Sequence, residues 1–101
     1  MNYADEYWRL AQEHADAEQA ASLLEETKTA VLSQMMLKLG DMPVTHAERQ
    51  VKASAEWTTH INIMVEARKK ANLLKAKLVV IKMKDGAKAS QEATRRAEMR
   101  L

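Results

Sequence analysis

From Asn2 to Leu39, small or apolar side chains recur at alternating four- and three-residue steps. They run through Tyr3, Tyr7, Leu10, His14, Ala17, Ala21, Leu24, Lys28, Val31 and Met35. That spacing belongs to a helix with a heptad seam. It predicts one long N-terminal helix, ended by Gly40 and barred from continuing by Pro43. At a rise of about 1.5 Å per residue such a helix spans ~57 Å. Polar His14 and charged Lys28 interrupt the seam, a device that sets register at some cost in stability. The Lys28 stem can lie along its neighbours with the ammonium in water.

After the connection Asp41 to Val44, the run Thr45-His46-Ala47-Glu48 matches a capping box, Thr hydroxyl to the N3 amide and Glu back to the cap. A shorter helix is predicted from His46 to about Glu56, with Ala47, Val51 and Ala55 facing inward. Thr58 and Thr59 supply a break or a new cap, unless the helix runs through them. A second long helix follows from about Thr59 to Lys84, with Trp57, His60, Met64, Ala67, Ala71, Leu74, Leu78 and Ile81 as its seam. Asp85-Gly86 is expected to stop it. Ala87 to Leu101 then reads as a basic tail or a short helix capped at Ser90. The expected organisation is a helical bundle over 1–86 and a C-terminal tail over 87–101.

Composition narrows the fold class. Gly40, Gly86 and Pro43 are the only Gly and Pro residues, Phe is absent, and strong helix formers dominate. The chain is therefore expected to be all-α: two long helices and a shorter one in a coiled-coil-like bundle. With no Cys, disulfides and thiolate metal sites are excluded. No stretch approaches the roughly 20 apolar residues of a membrane span. The acidic start Met1-Asn2-Tyr3-Ala4-Asp5-Glu6 lacks an apolar signal region. No membrane association is expected, and a cytoplasmic location is.

Charge is split unevenly along the chain. Met1 to Trp57 holds ten acidic and five basic residues, net −5, whereas Thr58 to Leu101 holds eleven basic and four acidic, net +7. Placing Met64, Ala71 and Leu78 at a puts Arg68, Lys75 and Lys82 at e and Lys70, Lys77 and Lys84 at g. On the first helix, Glu6 and Glu13 fall at g and Glu18 and Glu25 at e. Acidic flanks facing basic flanks determine partner choice in coiled coils. The lysine stripe has a second reading, as a phosphate-binding face, although no aromatic side chain interleaves it to stack bases.

Seams this long suggest self-association. A homodimer is expected, its bundle seam drawn from Tyr7, Leu10, Leu24, Val31, Met64, Leu74, Leu78 and Ile81. The segment Ser90 to Leu101 is either a frayed end or an arm that docks on nucleic acid or a partner through Arg95, Arg96 and Arg100. Any nucleic-acid binding is expected to be weak and indifferent to sequence.

Catalytic chemistry finds little support. His14, His46 and His60 form no i, i+4 pair of the kind a helical metal site uses. Ser22, Ser33, Ser54 and Ser90 lie in helical patterns without turn glycines, and no Gly-rich phosphate loop exists. No enzyme activity, metal or cofactor is expected. Met35, Met36, Met42, Met64 and Met83 are read as core filling or as an adaptable contact surface. Trp8 and Trp57 are read as packing anchors or contact markers.

The stretch from Trp57 through Glu66-Ala67-Arg68-Lys69-Lys70-Ala71 to Lys82-Met83-Lys84, then Gln91-Glu92-Ala93-Thr94-Arg95-Arg96-Ala97-Glu98-Met99-Arg100, resembles a poorly characterised group of small helical bacteriophage and prophage proteins. The first half matches that group only as an acidic helix beginning Tyr7-Trp8. Asp85-Gly86-Ala87 stands where the group is expected to carry an aromatic-containing turn. The resemblance implies a setting: early phage proteins encoded near recombination and replication genes, acting in the bacterial cytoplasm. The resulting expectation is a non-enzymatic accessory protein that works through protein contacts. The rivals are an inhibitor of a host defence or housekeeping complex, and a structural coiled-coil protein.

Overall fold

The computed structural model describes residues 2–99, and these are all-α. Four helices follow in order: α1 (Tyr3–Glu26), α2 (Lys28–Leu37), α3 (Val44–Lys52) and α4 (Ala55–Met99). Asn2 caps α1, its Oδ1 accepting the Asp5 amide at 2.8 Å, and Asp5 and Glu6 in the first turn complement the helix dipole.

The single N-terminal helix expected from periodicity is divided at Thr27. There the Leu23 carbonyl accepts both the Thr27 amide at 3.0 Å and the Thr27 hydroxyl at 2.7 Å. Such back-bonding by a mid-helix threonine bends the helix. The ladder resumes at once, because Val31 donates to the Thr27 carbonyl at 3.0 Å. Gly40 closes the region with φ +84°, a left-handed conformation that suits glycine.

Two further boundaries differ from expectation. The capping box at Thr45 does not form: α3 starts at Val44, and the Pro43 carbonyl accepts the Ala47 amide at 2.9 Å. Thr45 thus lies inside the first turn, where its hydroxyl cannot cap N3, and Glu48 pairs with Lys52 at 2.7 Å instead. The break before α4 falls at Ala53-Ser54 rather than at Thr58 or Thr59. Ser54 Oγ accepts the Trp57 amide at 3.2 Å and so acts as the cap.

Asp85-Gly86, expected to stop the helix, does not. Helix α4 runs straight through it for 45 residues, to Met99. Gly86 keeps a helical φ. A mid-helix glycine costs only about 1 kcal/mol relative to alanine. The strong helix formers Ala87, Lys88, Ala89, Gln91, Glu92 and Ala93 follow with no proline to end the ladder. The division into a bundle and a separate tail therefore does not coincide with any break in the helix.

Helices α1 and α4 pack antiparallel, with Glu25 beside Arg68 at one end and Tyr3 beneath Lys88 at the other. Their shared core holds Leu10, Ala17 and Ala21 against Ala71, Leu74 and Ile81. Every predicted α4 seam residue from Trp57 to Ile81 is buried or half-buried. Ala47, Val51 and Trp57 are buried at the other end, where α2 and α3 pack. The molecule is a rod of 84 × 18 × 17 Å with a radius of gyration of 23.1 Å. A compact chain of 100 residues would have about 13 Å. Elongation follows from α4, which at about 1.5 Å per residue is ~67 Å long.

Candidate interaction surfaces

Arg68 is the centre of the most ordered polar cluster. Its guanidinium donates from Nη1 to Glu18 Oε2 and from Nη2 to Glu25 Oε1, both at 2.6 Å, and from Nε to Glu25 Oε2 at 2.8 Å. Glu18 and Glu25 are two turns apart on α1, so one planar fork clamps both carboxylates across the helix pair. These hydrogen bonds hold both carboxyls below their ordinary value and push the guanidinium up from its own. Of the e-row bases, Arg68 thus meets the acidic flank as the charge pattern anticipates.

Other predicted contact residues are placed differently. Lys70, Lys75, Lys77, Lys82 and Lys84 are exposed and form no ion pair within 4.0 Å among the described residues. Lys70 and Lys77 line an open groove between α1 and α4 together with Glu13 and Asp16. Lys77 and Lys84 line the next groove along, with Glu6. The g-row lysines therefore stand near the acidic g row of α1 without contacting it. Arg95 and Arg96 are exposed on the end of α4, and Arg100 lies outside the described residues.

The residues expected at a dimer seam are largely used within the chain. Leu10, Leu74 and Ile81 are buried between α1 and α4; Leu24, Val31, Met64 and Leu78 are half-buried; Tyr7 is exposed. Folding back at the α2–α3 connection brings the two seams together in one chain, so they do not need a second copy to be covered.

What remains uncovered is an apolar strip along α4. Leu73, Val79, Val80 and Met83 are 47–68% exposed, Leu73 and Val80 bordering the open grooves beside α1. From Lys82 to Met99 every described residue is exposed. The N-terminus of α1 reaches only as far as Lys88, whose ammonium lies 5.9 Å from the Tyr3 ring centroid. Beyond it no other described element lies against α4. A second surface lies at the start of α1, where exposed Tyr7 and Trp8 border a shallow pocket closed by Ile81, Lys82 and Asp85.

The chain was compared with family models, curated proteins and solved structures. It matches none of them.

His60 is half-buried near the start of α4. It stacks on Trp57 with centroids 5.8 Å apart, and its Nε2 is buried without a hydrogen-bond partner. Among the described residues no three His, Asp or Glu side chains gather as metal ligands. No helix there is long and apolar enough to cross a membrane. Periodicity alone missed the exposed α4 face. Its signal was the 3/4 spacing that starts at Leu73, which an expected stop at Gly86 cuts in half.

Proposed function

We propose that this chain is a non-enzymatic accessory protein of a bacteriophage, acting in the host cytoplasm through helix–helix contacts within DNA recombination or replication. The observation that carries the contact-based reading is the 45-residue α4, which keeps a solvent-exposed apolar strip after α1 has packed beside it. Monomeric soluble proteins rarely leave a long contiguous apolar strip unused. The phage setting comes from the resemblance of the Trp57 to Arg100 segment. Arg95 and Arg96 on the projecting end add weak, sequence-indifferent affinity for nucleic acid, an accessory to protein contact.

The test is photo-crosslinking in bacterial cells, with the reactive residue placed at Trp8 or at Met83, one on each exposed surface. Adducts to recombination or replication proteins from at least one position are the expected result. Adducts to nucleic acid alone, or none from either position, would overturn the reading.

A further inference from the structure

We infer that the exposed face of α4 docks on the same face of a second copy of this chain, antiparallel, with the two-fold axis at Asp85-Gly86. The inference rests on the proposal that α4 works by helix–helix contact, and it names the partner. Starting at Leu73, the exposed strip that borders the α1–α4 grooves continues at 3/4 steps to Ala97 without a charged residue. Lys69, one step earlier, closes it. That is three and a half heptads, apolar at every step except Ser90 and Thr94.

The order of side chains selects the antiparallel arrangement. With the axis at residue 85, Leu73 stands level with Ala97, Ala76 with Thr94, Val80 with Ser90 and Met83 with Ala87. Each large side chain meets a small one, so the helices can keep one spacing while their surfaces interdigitate. In a parallel pair Leu73, Val80 and Met83 would each meet themselves at one end. Ser90 and Thr94 would do so at the other, leaving wide and narrow halves.

Charge agrees with this choice. Lys77 and Lys84 flank one edge of the seam in its first half, and Gln91 and Glu98 continue that edge in its second. Helical side chains lean toward their own N-terminus. In the antiparallel pair Lys77 therefore reaches Glu98 of the other copy, and Lys84 reaches Gln91. The two-fold axis repeats both contacts. The opposite edge carries Val79, Gly86 and Ala93, with no charge to separate the helices.

Gly86 lies beside the proposed axis. A Cβ built there would meet no atom of its own chain within 4 Å, so packing inside the chain does not call for glycine. Beside the axis it would face Gly86 of the other copy, where a missing Cβ allows the backbones to approach. The partner would also give the projecting end of α4, exposed at every described residue, a surface to pack against.

The chain has no Cys, which makes cross-linking a direct test. Val80→Cys and Ser90→Cys proteins are mixed, oxidised mildly and compared with each alone. The expected result is a disulfide dimer in the mixture and little in either single protein. Equilibrium sedimentation should give twice the 11.4 kDa chain mass, falling to once that mass in Val80→Glu/Met83→Glu with helicity retained. Lys77→Glu should weaken the dimer, and adding Glu98→Lys should restore it. Self-linking of each single-Cys protein would mean a parallel pair and overturn the inference. A monomer at high micromolar concentration would overturn the second copy as occupant, while adducts to other proteins from Met83 would still stand for the contact-based reading.

Discussion

Replacing Ala21 or Ala71 by leucine tests the α1–α4 packing most directly. Both alanines have 0% exposure, and the antiparallel register brings them level across the interface. Where two alanines face each other, the helices approach closely, and each leucine would insert three extra carbons into a space already filled. Two effects compete. Burying apolar carbon is worth up to about 0.8 kcal/mol per CH₂. Overpacking a filled site costs ~1–3 kcal/mol net of that gain, through off-rotamer side chains and displaced backbone. At zero exposure no gap exists to take the added carbons, so strain should win. For a domain of this size each kcal/mol moves Tm by about 4–8 °C, which places the loss for one leucine at ~5–20 °C. The assay is thermal far-UV circular dichroism at one fixed protein concentration, because any dimer would make Tm concentration-dependent. Ala15→Leu, on the exposed side of α1, should stay within about 0.5 kcal/mol of the parent. In the Ala21→Leu/Ala71→Leu double variant the second leucine enters helices already pushed apart, so the combined loss should be smaller than the sum of the singles. Unchanged or raised stability in both singles, or strict additivity in the double, would refute the close apposition.

Three further outcomes follow from named contacts. Arg68 holds Glu18 and Glu25 below their ordinary value of 4.5, so its stabilisation is complete above that pH and fades as pH falls through the lowered values. Urea unfolding should therefore find Arg68→Gln less stable than the parent at pH 7, with the gap closing below pH 4.5; a gap constant down to pH 2 would contradict the clamp. His60→Leu removes a buried nitrogen that has no partner, so thermal stability should hold or rise. A loss beyond about 1 kcal/mol would show that Nε2 is satisfied by water. Arg95→Ala/Arg96→Ala/Arg100→Ala should reduce DNA binding in a gel shift and flatten its salt dependence by about 0.9 log units for each phosphate that is no longer neutralised, with helicity unchanged; an unaltered salt slope would exclude this end of the chain.

Local pattern was sufficient for the all-α class and for the inward face of α4, because helical periodicity is a property of side-chain spacing that any packed helix must satisfy. It also set Arg68 opposite Glu18 and Glu25, which it clamps, whereas Lys75 and Lys82 of the same row make no ion pair among the described residues. Helix boundaries were decided by hydrogen bonds that compete at short range. Thr27 could have continued the helix with its hydroxyl free, but bonds back to Leu23. Ser54 rather than Thr58 or Thr59 caps α4, and Gly86 continues a helix that its composition suggested it would end. Each alternative differs by about a kcal/mol, less than what neighbouring turns contribute. Which surface each seam meets was a tertiary matter. The α2–α3 connection folds the chain so that Leu10, Leu74 and Ile81 cover one another, and that leaves Leu73, Val80 and Met83 in solvent on a strip visible as a surface only once α1 has packed beside it.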